Sequence, residues 1–242
     1  MAAPPPARPA AERACHNEPN LSVLSLPAPT PSGAAPAFAQ GSRKLAVPGR
    51  PVDRATLAHH IAVLPLPDRT LALVTGNAPG ELPADALLVR WVAFRLRALS
   101  ARLVSGETSA AAFRQEVGGL AGLGADRAPG GEEILVGLAA AARRLARARL
   151  LAEPAIAAFS ASLAGLAGEA SSREARQALD DAALGGFPGA LASVAEILGD
   201  PEAEDGALRE AAIRLTAGGT RPGADALAGI VALVRDVALG LP

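Results

Sequence analysis

The pattern of apolar and polar positions divides the chain into a front part that reads partly as strand and a rear part that reads as helix. Leu21 to Leu26 alternates as Leu-Ser-Val-Leu-Ser-Leu before Pro27, Pro29, Pro31 and Pro36, which predicts one short strand and a long loop. His59 to Leu64 and Arg69 to Thr75 are short apolar runs joined by Pro65, Leu66, Pro67 and Asp68, which predicts a hairpin. After Asn77, Pro79, Gly80 and Pro83, the stretch Ala84 to Ser105 is free of breakers and rich in Leu and Arg. It predicts a helix, with a third strand at its β-branched start as the alternative.

From Glu107 onward apolar residues recur at helical spacing. The expected helices are Ser109–Ala121, Glu132–Leu151, Pro154–Leu166, Arg173–Leu184, Pro188–Leu198, Gly206–Ala217 and Asp225–Leu239. Pro154 and Pro188 sit where a first-turn proline is tolerated, and Gly185, Gly199 and Gly218 sit where a helix ends. The expected fold is α+β, a mainly helical body with a small N-terminal β-containing part. Residues 1–20 hold proline, alanine and charge with little to bury and read as a disordered leader. Residues 21–105 then form the β-containing part, and residues 106–242 the helical domain.

Composition narrows the chemistry. Half of the residues are apolar, chiefly Ala, Leu and Val, with five Phe, one Trp and no Tyr, so helices must pack closely with Gly or Ala at their contacts. Trp91 and Phe94 read as core. The formal charge of −1 and the lack of a Lys/Arg run beside aromatics give a nucleic-acid surface no support. Lys44 is the only lysine, which closes off Schiff-base chemistry, while Arg remains for bidentate anion binding. Cys15 stands alone and builds no disulfide or metal site within the chain. Of His16, His59 and His60, the adjacent pair would face opposite sides of a strand and so not share a metal, and neither has an acid/base partner at readable spacing. Arg143, Arg144, Arg147 and Arg149 read as a solvated face or partner contact. No signal-peptide run and no stretch of eighteen uncharged apolar residues is found, so a soluble cytoplasmic protein with no membrane partner is expected.

One internal echo carries candidate chemistry. Gly131-Glu132-Glu133-Ile134-Leu135-Val136-Gly137-Leu138 recurs 92 positions later as Gly223-Ala224-Asp225-Ala226-Leu227-Ala228-Gly229-Ile230. In each copy glycine and proline precede a helix, an acid falls in its first turn, and a second glycine leaves one helix face bare. Backbone N–H groups at a glycine-rich helix start, aided by the helix dipole, make a seat for an anion. Arg127 and Arg221 lie just ahead of the copies and offer bidentate contacts. Gly137 and Gly229 would let the two helices approach and bring both N-termini to one cleft. Ordinary capping accounts for the same glycine-acid residues, and paired carboxylates beside a phosphate are more usual with Mg²⁺ between them.

At these motifs the sequence resembles the AllH family, whose named member is a subunit of the oxamate carbamoyltransferase of anaerobic allantoin breakdown. The family pattern, Gly-x-Gly-x-Gly-Leu-Thr-Pro-Ser-Gly-Asp-Asp, is met here by Gly122-Leu123-Gly124-Ala125-Asp126-Arg127-Ala128-Pro129-Gly130-Gly131-Glu132-Glu133. Its later Ser-Gly-Ala-Asp-x-Leu-Ala-Gly is met by Pro222-Gly223-Ala224-Asp225-Ala226-Leu227-Ala228-Gly229. The chain departs from the pattern by losing the threonine and both serines and by carrying Glu in place of Asp-Asp. The resemblance spans roughly residues 21 to 240 and implies carbamoyl transfer between oxalurate or oxamate and phosphate, within a complex of companion subunits. Glu132, Glu133 and Asp225 are then the catalytic candidates, and Gly124, Arg127, Gly130, Gly131, Arg221 and Gly223 the groups that bind phosphate or carbamoyl phosphate. The alternative is a non-catalytic helical scaffold that kept the fold while its site decayed.

Overall fold

Side-chain caps open several of the helices. Ser109 Oγ accepts the Ala112 N–H at 3.3 Å, Ser172 Oγ accepts that of Ala175 at 3.0 Å, and Asp53 Oδ1 that of Thr56 at 2.7 Å. Each satisfies a donor that the first helical turn leaves open. In the computed structural model the described residues are 42–45, 52–77, 83–123, 130–217 and 221–241, all inside a unit spanning residues 34–242. The expected leader and the strand at Leu21–Leu26 lie outside the described residues.

The described elements are β1 Ser42–Lys44, α1 Arg54–Val63, α2 Asp68–Thr75, α3 Pro83–Val104, α4 Ala110–Leu120 and α5 Gly131–Arg147. They continue with α6 Glu153–Leu166, α7 Arg173–Ala183, β2 Gly186–Pro188, α8 Gly189–Leu198, α9 Asp205–Thr216 and α10 Arg221–Leu239. The fold is α+β and mainly helical, and the two strands form one small antiparallel sheet with Arg43 opposite Phe187.

Two helices make the centre. Ile134 to Ala142 on α5 and Gly223 to Val234 on α10 are buried on every side, the mark of a core helix. The other helices wrap this pair: α1, α2, α3 and α9 lie against α10, while α6, α7 and α8 lie against α5. Phe113 of α4 and Phe159 of α6 tilt against each other at 54° with centroids 5.6 Å apart, joining these two helices.

The predicted hairpin is replaced by two helices, α1 and α2. A short apolar run does not distinguish buried strand from buried helix by period alone. Here Asp53 caps α1, and Thr70 ties α2 to the start of α10 by donating its hydroxyl to Ala224 O at 2.8 Å. Among the described residues the front part holds one strand, β1, which pairs with β2 from the helical half. Ser42 Oγ donates to Asp181 Oδ2 at 2.7 Å, and Arg43 donates to Ser193 Oγ and Glu196 Oε2 at 2.9 and 2.8 Å.

Most of the arginine cluster is not a solvated face. Arg144 is 4% exposed and donates to the carbonyls of Glu196 and Gly199 at the end of α8. Arg143 donates to Ser160 Oγ and Ala183 O, and Arg147 to Leu45 O, so these guanidinium groups serve backbone carbonyls of neighbouring elements. Arg149 alone of the four is exposed. Phe94 is likewise not core, at 65% exposed, whereas Trp91 is half-buried.

Candidate functional site

The crossing of α5 and α10 is built on the glycines of the echo. A methyl group at Gly137 would overlap the carbonyl oxygen of Ala226 and stand 2.7 Å from its carbonyl carbon. One at Gly229 would overlap the carbonyl oxygen of Ile134 and stand 2.7 Å from Leu138 N. Ile134 and Ala226 are equivalent positions of the two copies, so the contact is reciprocal, as a local two-fold axis requires. Gly131 packs in the same way on Leu120 at the end of α4, and Gly223 on Leu215 near the end of α9. All four motif glycines therefore act by letting backbone approach backbone.

This crossing brings the two N-termini together. Gly130 precedes α5 and its N–H donates to Asp225 Oδ2 at 2.8 Å. Asp225 is 1% exposed and also accepts Arg69 Nε on Oδ1 at 2.6 Å and another Arg69 N–H on Oδ2 at 3.0 Å. Helix α10 begins four residues before the expected start at Asp225, because Pro222 fits a first turn whose N–H needs no partner. Gly223 thus lies within the helix and not in a turn ahead of it, and Asp225 reaches across to the other helix.

The neighbouring acids are placed differently. Glu132 is 2% exposed, and its Oε1 accepts the N–H of Gly122 at 3.0 Å and of Ser171 at 2.9 Å, clasping two loops to the start of α5. Glu133 is half-buried, and its carboxylate lies over Gly130 near Asp225. Burial pushes the Glu133 carboxyl above the usual range, its own backbone N–H opposes this, Glu132 and Asp225 add to the rise, and Arg69 counters it.

Of the sequence candidates, Glu132, Glu133, Asp225, Gly130, Gly131 and Gly223 gather around the paired helix starts. Gly124 and Arg127 lie outside the described residues, and Arg221 is described only as the backbone that begins α10. Sequence reasoning missed Arg69, since its partner is 156 positions away and nothing near it marks the pairing. In the described part of the site Asp225 is paired with Arg69, and Glu133 lies close enough to both to feel their charge. Mg²⁺ finds few free oxygens there, because both oxygens of Asp225 and Oε1 of Glu132 already accept hydrogen bonds from Arg69 or from backbone N–H groups. Among the described residues no three His, Cys, Asp or Glu side chains gather for a metal.

The two described histidines stand apart from this site, and His16 lies outside the described residues. His60 is buried with Nδ1 3.0 Å from Leu198 O, and His59 is exposed with Nε2 3.0 Å from Asp205 Oδ1, both on a helix and not a strand. Among the described residues no helix is long and apolar enough to cross a membrane. Comparison with family models, with curated proteins and with solved structures found no match.

Proposed function

We propose that the chain is an AllH-like subunit of a cytoplasmic carbamoyltransferase complex that moves a carbamoyl group between an amide such as oxalurate and phosphate. The reading rests on the meeting of the two motifs that carry the resemblance, with the Gly130 N–H donating to Asp225 across the glycine crossing. In this reaction a phosphate oxygen attacks the carbamoyl carbon, the bond from that carbon to the amide nitrogen breaks, and the nitrogen takes up a proton as oxamate leaves. Glu133, whose raised pKa favours the protonated form, supplies that proton. Arg69 offsets charge as it develops, and Asp225 and Glu132 act as positioning residues by holding Arg69 and the loops. Arg127 and Arg221 belong to the phosphate end of this scheme.

The test uses the complete complex with its companion subunits. Phosphate, carbamoyl phosphate and oxamate should each raise its melting temperature, and Glu133→Gln should abolish carbamoyl transfer while the complex stays folded. No shift with any of the three ligands ends the proposal.

A second reading is favoured by the internal satisfaction of Asp225 and Glu132, whose hydrogen-bonded oxygens are nearly closed to solvent. In a scaffold with a decayed site these carboxylates are clasps that hold two helix starts and two loops together. Glu133→Gln would then change stability alone and leave partner binding and transfer activity untouched.

A further inference from the structure

We propose that α3 is the docking surface for an amphipathic helix of a partner protein whose apolar seam is flanked by Asp and Glu. This surface shares no residue with the α5–α10 site.

The core side of α3 is formed by Val89, Val92, Ala93, Leu96, Leu99 and Leu103, all buried. Its outer side carries a second apolar stripe. Leu87 and Phe94 are 66% and 65% exposed, and Trp91, Ala98 and Ala101 are half-buried between and beyond them. The spacing 87, 91, 94, 98, 101 alternates four and three, the repeat by which one helix seats its side chains into another. A lone exposed Phe needs no explanation, whereas a stripe at this spacing on a helix already buried on its opposite side does.

Charge selects the occupant. Between Ala86 and Val104 there is no Asp or Glu, and the four arginines flank the stripe on both sides, Arg90 and Arg97 along one edge, Arg95 and Arg102 along the other. Along the second edge Glu116 of α4 accepts from Arg95 at 2.7 Å and Arg102 at 3.3 Å, and Arg95 lies 5.1 Å from the Trp91 ring centroid. Along the first edge Arg90 and Arg97 are exposed, and the contact Arg97 makes to Thr75 O is long at 3.4 Å. A partner helix with acids facing Arg90 and Arg97 is complementary. A second copy of α3 would set arginines against arginines. A lipid surface fits less well, because the stripe is narrow and Trp91 is partly covered by α4.

Trp91 is the only tryptophan and lies in the stripe, so its emission reports occupancy in the full-length chain. The probes are two designed helical peptides of about three heptads with one leucine seam, flanked by Glu in the first and by Lys in the second. The Glu-flanked peptide should shift Trp91 emission to the blue, with an affinity that falls as salt rises, and the Lys-flanked peptide should not. Phe94→Glu should weaken binding roughly tenfold or more with the melting temperature unchanged, since the ring is mostly in solvent. Arg90→Glu with Arg97→Glu should reverse the preference between the two peptides. No binding of the Glu-flanked peptide, or equal binding of both, overturns the proposal. So does self-association in sedimentation velocity that Phe94→Glu abolishes, or a Trp91 shift with phosphatidylglycerol vesicles in place of the peptide.

Discussion

Gly137→Ala is the sharpest test of the helix crossing, because local and tertiary effects of the change have opposite sign. Within an isolated helix alanine is favoured over glycine by about 1 kcal/mol. At Gly137 the added methyl stands 2.7 Å from the carbonyl carbon and 2.9 Å from the Cα of Ala226, both backbone atoms that no rotamer can move. Ordinary contact between carbon atoms is about 3.5–4.0 Å, so α5 and α10 must part by roughly 1 Å along the most buried seam of the fold. A gap of about 0.5–1 Å forfeits about a quarter to a half of each contact it opens, and overpacking a tight core costs about 1–3 kcal/mol or more. After subtracting the gain in helix propensity, and with the overlap on a backbone carbonyl placing the cost in the upper part of that range, we expect a net loss of about 1–2 kcal/mol, or roughly 2–8 °C in melting temperature.

Thermal and urea unfolding followed by helical circular dichroism measure this loss, with Gly206→Ala as the control. Gly206 lies in the first turn of α9 with nothing within 4 Å of an added methyl, so that variant should gain up to about 1 kcal/mol. Gly229→Ala should behave like Gly137→Ala. The double variant should cost less than the sum, since one separation relieves both overlaps. If Gly137→Ala melts at or above the temperature of the parent chain, the crossing is not as close as the structure has it.

Asp225→Ala removes the partner of Arg69 and of the Gly130 N–H from a site 1% exposed, and should cost about 3 kcal/mol in denaturant unfolding, with Asp225→Asn losing less. Glu133 has a raised pKa in the folded chain, so its contribution is fully present below the ordinary glutamate range and is lost as the pH climbs through the raised value. Glu133→Gln should therefore melt higher than the parent at neutral pH, and the difference should fade as the solution is acidified. Phe113→Ala should lose about 3–5 kcal/mol, since the ring is fully buried against Phe159, and chemical denaturation checks it.

The sequence by itself determined the helices from Ser109 onward, because capping residues, first-turn prolines and terminal glycines act over a few neighbouring residues. The same local signals marked the four motif glycines and the need for α5 and α10 to come close. The nature of α1 and α2 was decided by the tertiary structure. Helices of 10 and 8 residues are too short to be stable alone, so packing on α10 and the Thr70 bond to Ala224 O selected helix for runs that read equally well as strands. Packing also turned Arg144 inward and left Phe94 outside, since burial depends on which neighbours arrive from far along the chain. The candidate site divides in the same way. Glu133 was legible as a first-turn acid and Asp225 as an acid near a helix start, although α10 begins a turn earlier than the sequence suggests, and the Arg69 pairing across 156 positions was not legible. A hydrogen bond between residues so distant exists only once the crossing has fixed where each helix begins.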